Sequence, residues 1–183
     1  LGGKAANILF DDAPLDQAVE GIINGIYFNQ GHVCCAGSRL LVQESVYDKV
    51  MRKLSDRIKT LRVGDPLDKN TDIGAINSKA QLKRIGELVD CGVAEGAQLH
   101  QSKCKLPGEG YWFKPSFFTG VTASHRIARE EIFGPVVTIT PFDDDEEAIA
   151  MANATEYGLS ASVWTTDQER ARRVSERIEA GTV

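Results

Sequence analysis

Short β-rich runs alternate with longer helical stretches along the whole chain of 183 residues, and this alternation limits the fold more than any other feature. The β-rich runs fall at 6–10, 38–43, 97–101, 136–142 and 160–164. Parallel strands need a crossover connection, usually a helix, so strands that alternate with helices predict βαβ units. We therefore predict a single α/β domain with a mainly parallel twisted sheet flanked by helices.

Apolar residues recur every three or four positions in the stretches between these runs, as they do along the buried face of a helix. The clearest such stretch covers 46–61. Side chains that carry an oxygen atom precede four of the stretches, where they can accept hydrogen bonds from the first N–H groups of a helix. We predict helix caps at Asp12, Ser45, Ser78 and Asp167.

The charge and hydropathy patterns exclude two classes of partner. The chain carries 21 basic and 26 acidic side chains, which gives a formal net charge of −5 at pH 7. It has no basic cluster that could neutralise phosphates, and this argues against a nucleic-acid surface. No apolar run reaches the roughly 18 residues that a membrane span requires. We expect neither a nucleic acid nor a membrane as a partner.

Four cysteines are too few for a disulfide scaffold in a chain of this length. Two of them are adjacent, no Cys-x-x-Cys occurs, and the three histidines are scattered along the chain. This cysteine usage predicts a reduced protein of the cytoplasm, and the spacing of possible ligands predicts no metal site.

The segment 28–39 holds a cysteine in a loop bounded by glycines, between a helical stretch and a β run. Small residues at Gly31, Ala36 and Gly37 would let a substrate approach the sulfur of Cys34. The reactive form of cysteine is the thiolate, so a nucleophilic role needs surroundings that favour the charge. The alternative is that Cys34 and its neighbour Cys35 are small buried hydrophobic residues.

A second candidate lies at 129–135, where two carboxylates precede an aromatic residue and a Gly-Pro turn. Placed on such a loop, Glu131 could accept hydrogen bonds from sugar hydroxyls. The alternative is an acidic pair, Glu130 and Glu131, that is simply solvated at the surface.

Four motifs together resemble the aldehyde dehydrogenase superfamily in order and spacing: Leu-Gly-Gly-Lys at 1–4, the cysteine segment at 28–39, Glu-Glu-Ile-Phe-Gly-Pro at 130–135, and Asn-Ala-Thr-Glu-Tyr-Gly-Leu at 153–159. The resemblance covers essentially the whole chain. It implies that residues 1–183 are the catalytic, nucleophile-bearing domain. It also implies that an amino-terminal dinucleotide-binding domain, and a Glu that acts as general base, precede Leu1.

The resemblance also implies a reaction and a set of site residues. The parent protein would be an oxidoreductase that converts an aldehyde to a carboxylic acid with NAD or NADP, and Cys34 would be its nucleophile through a thiohemiacetal and a thioester. The backbone N–H of Cys34 would stabilise the substrate oxyanion. Glu131 would hold the nicotinamide ribose, Phe133 would pack near the nicotinamide ring, and Gln81 and Arg84 would make further ribose-side contacts.

Other features of the resemblance concern structure and assembly. Lys4 and the segment 157–159 are expected to support loops rather than to touch a ligand. The parent is expected to be a homodimer or homotetramer. The sequence selects neither the aldehyde nor NAD over NADP, and the isolated chain is expected to fold without oxidising aldehydes.

His32 departs from the family pattern, which has Gln or Glu at this position. It suggests a Cys–His thiol hydrolase or acyltransferase with His32 as base, although partners only two residues apart rarely meet in such pairs. A further alternative is a dehydrogenase-like scaffold module without turnover. The simplest role for His32 is to shape the loop around Cys34.

Overall fold

A computed structural model describes residues 2–183 of the chain, which form a six-stranded sheet covered by helices. The strands are β1 (Ala6–Leu9), β2 (Arg39–Gln43), β3 (Gln98–Gln101), β4 (Ser116–Thr119), β5 (Val136–Phe142) and β6 (Ala161–Trp164). Their order across the sheet is β3-β4-β5-β2-β1-β6. Every neighbouring pair is parallel except β3 with β4, so the predicted mainly parallel α/β fold is confirmed.

The described residues also form six α-helices, of which five lie between strands and the last follows β6. They are α1 (Leu15–Tyr27), α2 (Tyr47–Ile58), α3 (Lys79–Ala94), α4 (Arg126–Arg129), α5 (Asp145–Asn153) and α6 (Gln168–Ser175). Helices α1 and α2 pack on one face of the sheet, against the side of β2 that carries Leu40. Helices α5 and α6 pack on the opposite face, against Leu41. The pair α3 and α4 covers Phe118 of β4, so both faces are buried, as a parallel sheet requires.

Two of the predicted helix caps are confirmed. The Ser78 hydroxyl accepts a hydrogen bond from the Gln81 N–H at 3.2 Å and caps α3. The Asp167 carboxylate accepts from the N–H of Glu169 at 2.9 Å and caps α6. Both helices therefore begin where the sequence predicts.

The other two predicted caps are wrong. Pro14 stands at the start of α1, while the Asp12 carboxylate accepts hydrogen bonds from the β6–α6 loop, including the N–H of Thr166 at 2.7 Å. Ser45 donates its hydroxyl to Asp11 instead of capping α2. In both cases a neighbouring loop offers a partner that competes with the helix end.

Adjacent parallel strands begin at nearly the same level, which decides where the loops before them meet. Ala6 at the start of β1 pairs with Arg39 of β2 on one side and with Ala161 of β6 on the other. β5 begins two residues before the partner of Arg39, which is Thr138. The loops that enter these four strands therefore converge at one edge of the sheet.

Candidate active site

The four converging loops surround a cleft of about 920 Å³ at the amino-terminal edge of the sheet. Open α/β sheets usually bind ligands at the opposite edge, beyond the carboxyl ends of the strands. Here the residues that line the cleft instead precede the strands β1, β2, β5 and β6 or lie in α3. The residues that line the cleft are Gly2, Cys34, Gln81, Arg84, Glu131, Ile132, Phe133, Glu156, Tyr157, Gly158 and Leu159.

Cys34 lies in a tight turn before β2. The N–H of Ala36 donates to the carbonyl of Val33 at 3.1 Å, so Cys34 and Cys35 occupy the two central positions of the turn. Both thiols are exposed, and the alternative that they are buried hydrophobic residues is wrong. Within residues 2–183 the backbone N–H of Cys34 makes no hydrogen bond, so it is free to act as a donor to a ligand.

The chain before β1 packs directly against this turn. A Cβ placed on Gly3 would lie 2.0 Å from the carbonyl oxygen of Cys34, so only glycine fits at this position. The N–H of Gly3 donates to Oε1 of Glu131 at 2.9 Å. One glycine thus contacts both the cysteine turn and the loop that carries Glu131.

Glu131 and Glu130 have different surroundings, so they do not form a simple solvated pair. Glu131 uses one carboxylate oxygen for Gly3, and Oε2 accepts no hydrogen bond in the part of the chain that the structure describes. Glu130 is paired with Arg126 and Arg84. The hydrogen bond from Arg126, with further help from Arg84, lowers the pKa of Glu130 despite its partial desolvation. Glu131 therefore keeps one oxygen available for a ligand.

Gln81 and Arg84 project from the first turns of α3 towards the same loop. The Gln81 amide donates to the carbonyl oxygens of Ile132 at 2.9 Å and Phe133 at 3.0 Å. The Arg84 guanidinium is engaged by Glu130. Both side chains line the cleft, and their hydrogen bonds hold the loop of residues 130–133 in place.

Phe133 has a left-handed backbone, with φ of 53°. For a residue other than glycine such a conformation costs of order 1–3 kcal/mol and persists only where the surroundings hold it. The next residue, Gly134, packs against the segment before Cys34, because a Cβ placed on Gly31 would lie 2.1 Å from the Gly134 carbonyl oxygen. The two loops are therefore in direct contact beside the cleft.

Both ring nitrogens of His32 are occupied. Nδ1 lies 2.8 Å from the carbonyl oxygen of Phe133, and Nε2 accepts from the N–H of Asn77 at 3.2 Å. Because a carbonyl only accepts, Nδ1 carries the proton and the ring is neutral. Burial lowers the pKa of His32, against the opposing effect of the Phe133 carbonyl. Neither nitrogen is left for the Cys34 thiol, which argues against the Cys–His alternative.

Lys4 is buried beneath the cleft, with 1% of its surface exposed, and its ammonium nitrogen has no hydrogen-bond partner among residues 2–183. Its pKa is lowered to about 7, first by burial and then by the neighbouring Arg39, while Glu131 and Glu130 act in the opposite direction. Arg39 in turn donates to the Lys4 carbonyl at 2.8 Å. Lys4 does not line the cleft, in keeping with the structural role predicted for it.

Several cleft residues were not predicted from the sequence. Tyr157 and Leu159 line the cleft, although the segment 157–159 was expected only to support loops. Ile132 and Glu156 complete the lining. Their position along the chain was the available signal, because residues 156–159 directly precede β6 and Ile132 precedes β5, just as Cys34 precedes β2.

Among residues 2–183, no group of three or more His, Cys, Asp or Glu side chains is placed to hold a metal ion. In the same part of the chain, every helix is too short or too polar to cross a bilayer.

A sequence model of the aldehyde dehydrogenase family matches residues 1–183. An aldehyde dehydrogenase of Emericella nidulans is 46% identical over 183 residues, and a betaine aldehyde dehydrogenase of Rhizobium leguminosarum is 45% identical over 186. Each match covers 100% of this chain but only 37% and 38% of the relatives. The chain thus spans a little over a third of the length of these relatives.

Solved structures give the same result. The NAD-dependent aldehyde dehydrogenase from Sinorhizobium meliloti superposes with a TM-score of 0.96 at 46% identity, over 100% of this chain and 36% of that one. A betaine aldehyde dehydrogenase from Staphylococcus aureus, in complex with NAD+, superposes with a TM-score of 0.96 at 41% identity and is covered over 37% of its chain.

Proposed function

The chain belongs to the aldehyde dehydrogenase family, and we propose that the whole protein oxidises an aldehyde to a carboxylic acid with NAD+ as hydride acceptor. The neighbour from Sinorhizobium meliloti is NAD-dependent, and the one from Staphylococcus aureus was solved with NAD+, which supports NAD+ over NADP+. The relatives include betaine aldehyde dehydrogenases and others named for no particular aldehyde. The proposal therefore names the substrate only as an aldehyde and does not choose a particular one.

One observation carries the proposal: the exposed thiol of Cys34 opens into the same cleft as Glu131 and Phe133. In this proposal the Cys34 thiolate adds to the carbonyl carbon of the aldehyde, and the developing oxyanion accepts a hydrogen bond from the Cys34 N–H. Loss of hydride from that carbon leaves a thioester on the sulfur. Attack by water on the thioester releases the acid and restores the thiol.

The cleft residues fit a nicotinamide nucleotide. The free Oε2 of Glu131 is suited to accept hydrogen bonds from the ribose hydroxyls, and Phe133 gives the cleft an apolar wall. NAD+, when bound, supplies the hydride acceptor. We propose that Gln81 and Arg84 serve the cofactor side of the cleft through their hydrogen bonds to the loop of residues 130–133.

The coverage of the relatives supports a proposal on domains. We propose that residues 1–183 form the nucleophile-bearing domain of a longer polypeptide, whose other parts supply a dinucleotide-binding domain and the general-base Glu before Leu1. We further propose that this parent assembles as a homodimer or homotetramer, and that it works in a reducing compartment such as the cytoplasm, where the exposed Cys34 thiol stays reduced.

The direct test is to incubate the full-length polypeptide with NAD+ and a panel of aliphatic, aromatic and quaternary-ammonium aldehydes. We expect NADH to form in a one-to-one ratio with the carboxylic acid. An active dehydrogenase of known specificity serves as the positive control for the panel. Failure of every aldehyde to reduce NAD+ or NADP+ would reject the proposal and favour the scaffold alternative.

A further inference from the structure

His32 joins three segments that are far apart in the sequence. It belongs to the cysteine loop, it donates to the Phe133 carbonyl 101 residues later, and it accepts from the Asn77 N–H 45 residues later. Its ring also stacks on the Phe133 ring, with centroids 5.2 Å apart and planes at 26°.

The contacts converge on the strained residue of the loop. The Phe133 carbonyl accepts from His32 at 2.8 Å and from the Gln81 amide at 3.0 Å, so two donors from different segments fix it. The left-handed conformation of Phe133 needs such support, because nothing in the residue itself favours it. Glu131, two residues earlier, depends on the same loop for its position.

We infer that His32 is a positioning residue, which holds the loop of Glu131 and Phe133 at a fixed place relative to the Cys34 turn and thereby sets the affinity of the cleft for the nicotinamide nucleotide. The inference rests on the proposed function, since it assigns the loop to cofactor binding. His32 acts through Phe133 and does not exchange a proton with Cys34, because both of its nitrogens are engaged.

Two variants separate the hydrogen bonds of His32 from its ring. His32→Phe keeps an aromatic ring for stacking on Phe133 but removes both hydrogen bonds. His32→Gln provides a donor and an acceptor again without the ring. His100→Phe is a matched control. His100 also stacks on a phenylalanine, with its ring centroid 4.5 Å from that of Phe117, and it hydrogen bonds to Thr119. It lies on the edge strand β3, away from the cleft.

The experiment uses the full-length polypeptide and measures NAD+ binding directly by calorimetry, alongside kcat and the KM for NAD+ and for the aldehyde. For His32→Phe we expect the Kd and KM for NAD+ to rise about 5- to 30-fold, as the loss of two hydrogen bonds implies. The KM for aldehyde and the rate at which iodoacetamide alkylates Cys34 should stay within about twofold. His32→Gln should recover most of the NAD+ affinity, and His100→Phe should match the wild type.

The outcomes distinguish this inference from the proposed function. Wild-type NAD+ affinity in His32→Phe overturns the inference, whether or not the enzyme turns over. Slower alkylation of Cys34 in His32→Phe overturns it too, because His32 would then act on the thiol. Binding of NAD+ by the wild type without oxidation of any aldehyde rejects the proposed function, while the ratio of NAD+ affinities still decides the role of His32. If His32→Phe does not fold, the same comparison is made with His32→Met, which also removes both hydrogen bonds of His32, and unchanged NAD+ affinity in that variant overturns the inference.

Discussion

Gly3 and Cys34 are in backbone contact, so close that a Cβ on Gly3 would fall 2.0 Å from the Cys34 carbonyl oxygen. The same Gly3 donates its N–H to Glu131. The entry to β1 is therefore the point at which the cysteine turn and the carboxylate loop are held together.

Gly3→Ala tests this contact. The added methyl group must displace the Cys34 turn, so we expect a loss of about 2–4 kcal/mol in the free energy of unfolding and a large fall in activity of the full-length protein. Gly86→Ala is the control, because Gly86 lies inside α3 with open space around its Cβ position. Alanine there should stabilise by about 0.5–1 kcal/mol. Equal unfolding free energies for the two variants, measured in urea, would contradict the close packing of Gly3 against Cys34.

Glu131→Gln tests the carboxylate of the cleft. The amide keeps an oxygen for the Gly3 N–H but has no charge to strengthen hydrogen bonds with ribose hydroxyls. We expect the KM for NAD+ to rise about tenfold or more, from the loss of a charge-assisted hydrogen bond. Glu87→Gln, on the exposed side of α3, removes a charge away from the cleft and should have no effect. An unchanged KM in Glu131→Gln would exclude Glu131 from cofactor binding.

Asp12 should make the stability of the protein depend on acid pH. Burial alone would raise the pKa of Asp12, but hydrogen bonds from Thr166, Thr165 and the backbone of Thr166 and Asp167 together lower it to about 2, from 3.8. Because the folded pKa is the lower one, the stabilisation is complete above pH 3.8 and is lost as the pH falls towards 2.

Asp12→Asn removes this stabilisation. We expect the variant to lose about 2 kcal/mol of unfolding free energy at neutral pH, and to show a shallower loss of stability between pH 4 and pH 2. Asp16→Asn is the control, since Asp16 is 87% exposed in its ion pair with Lys53 and the variant should keep a stability close to that of the wild type. Parallel urea titrations at several pH values measure both. A wild-type pH profile in Asp12→Asn would contradict the account.

The isolated chain of residues 1–183 should fold and yet reduce no NAD+ with aldehydes. Its strands and helices bury continuous apolar clusters on both faces of the sheet. Catalysis, however, needs the thiol, the hydride acceptor and the base in one place, and this proximity supplies much of the rate. Circular dichroism and an NADH assay check the two parts. Aldehyde-dependent NADH production by the isolated chain would refute the proposal that other parts of the polypeptide supply the dinucleotide-binding domain and the general base.

The fold could be predicted largely from periodicity, because buried parallel strands and amphipathic helices leave distinct patterns. β4 was not predicted: its four residues include Phe117 and Phe118, which are buried on opposite faces and so leave no alternation. The caps at Asp12 and Ser45 were wrong because distant loops compete for these side chains, and sequence spacing does not show which loop is near.

In the candidate site, too, some residues could be predicted from the sequence and others could not. Cys34 and Glu131 stand in local motifs, so they could be named from the sequence, and the structure brings both to one cleft. The partners of His32 are 45 and 101 residues away, and no local pattern relates them to it. Tyr157 and Leu159 enter the cleft only because β6 begins beside β1.

The most direct measurement compares Cys34→Ala with Cys35→Ala in the full-length polypeptide. Both thiols are exposed in the same turn, so the two variants differ only in which sulfur they remove. We predict that Cys34→Ala lowers kcat for aldehyde oxidation by at least about a thousandfold, as loss of a nucleophile does, while Cys35→Ala stays within several-fold of the wild type. Normal turnover by Cys34→Ala would contradict the central claim that this sulfur attacks the aldehyde.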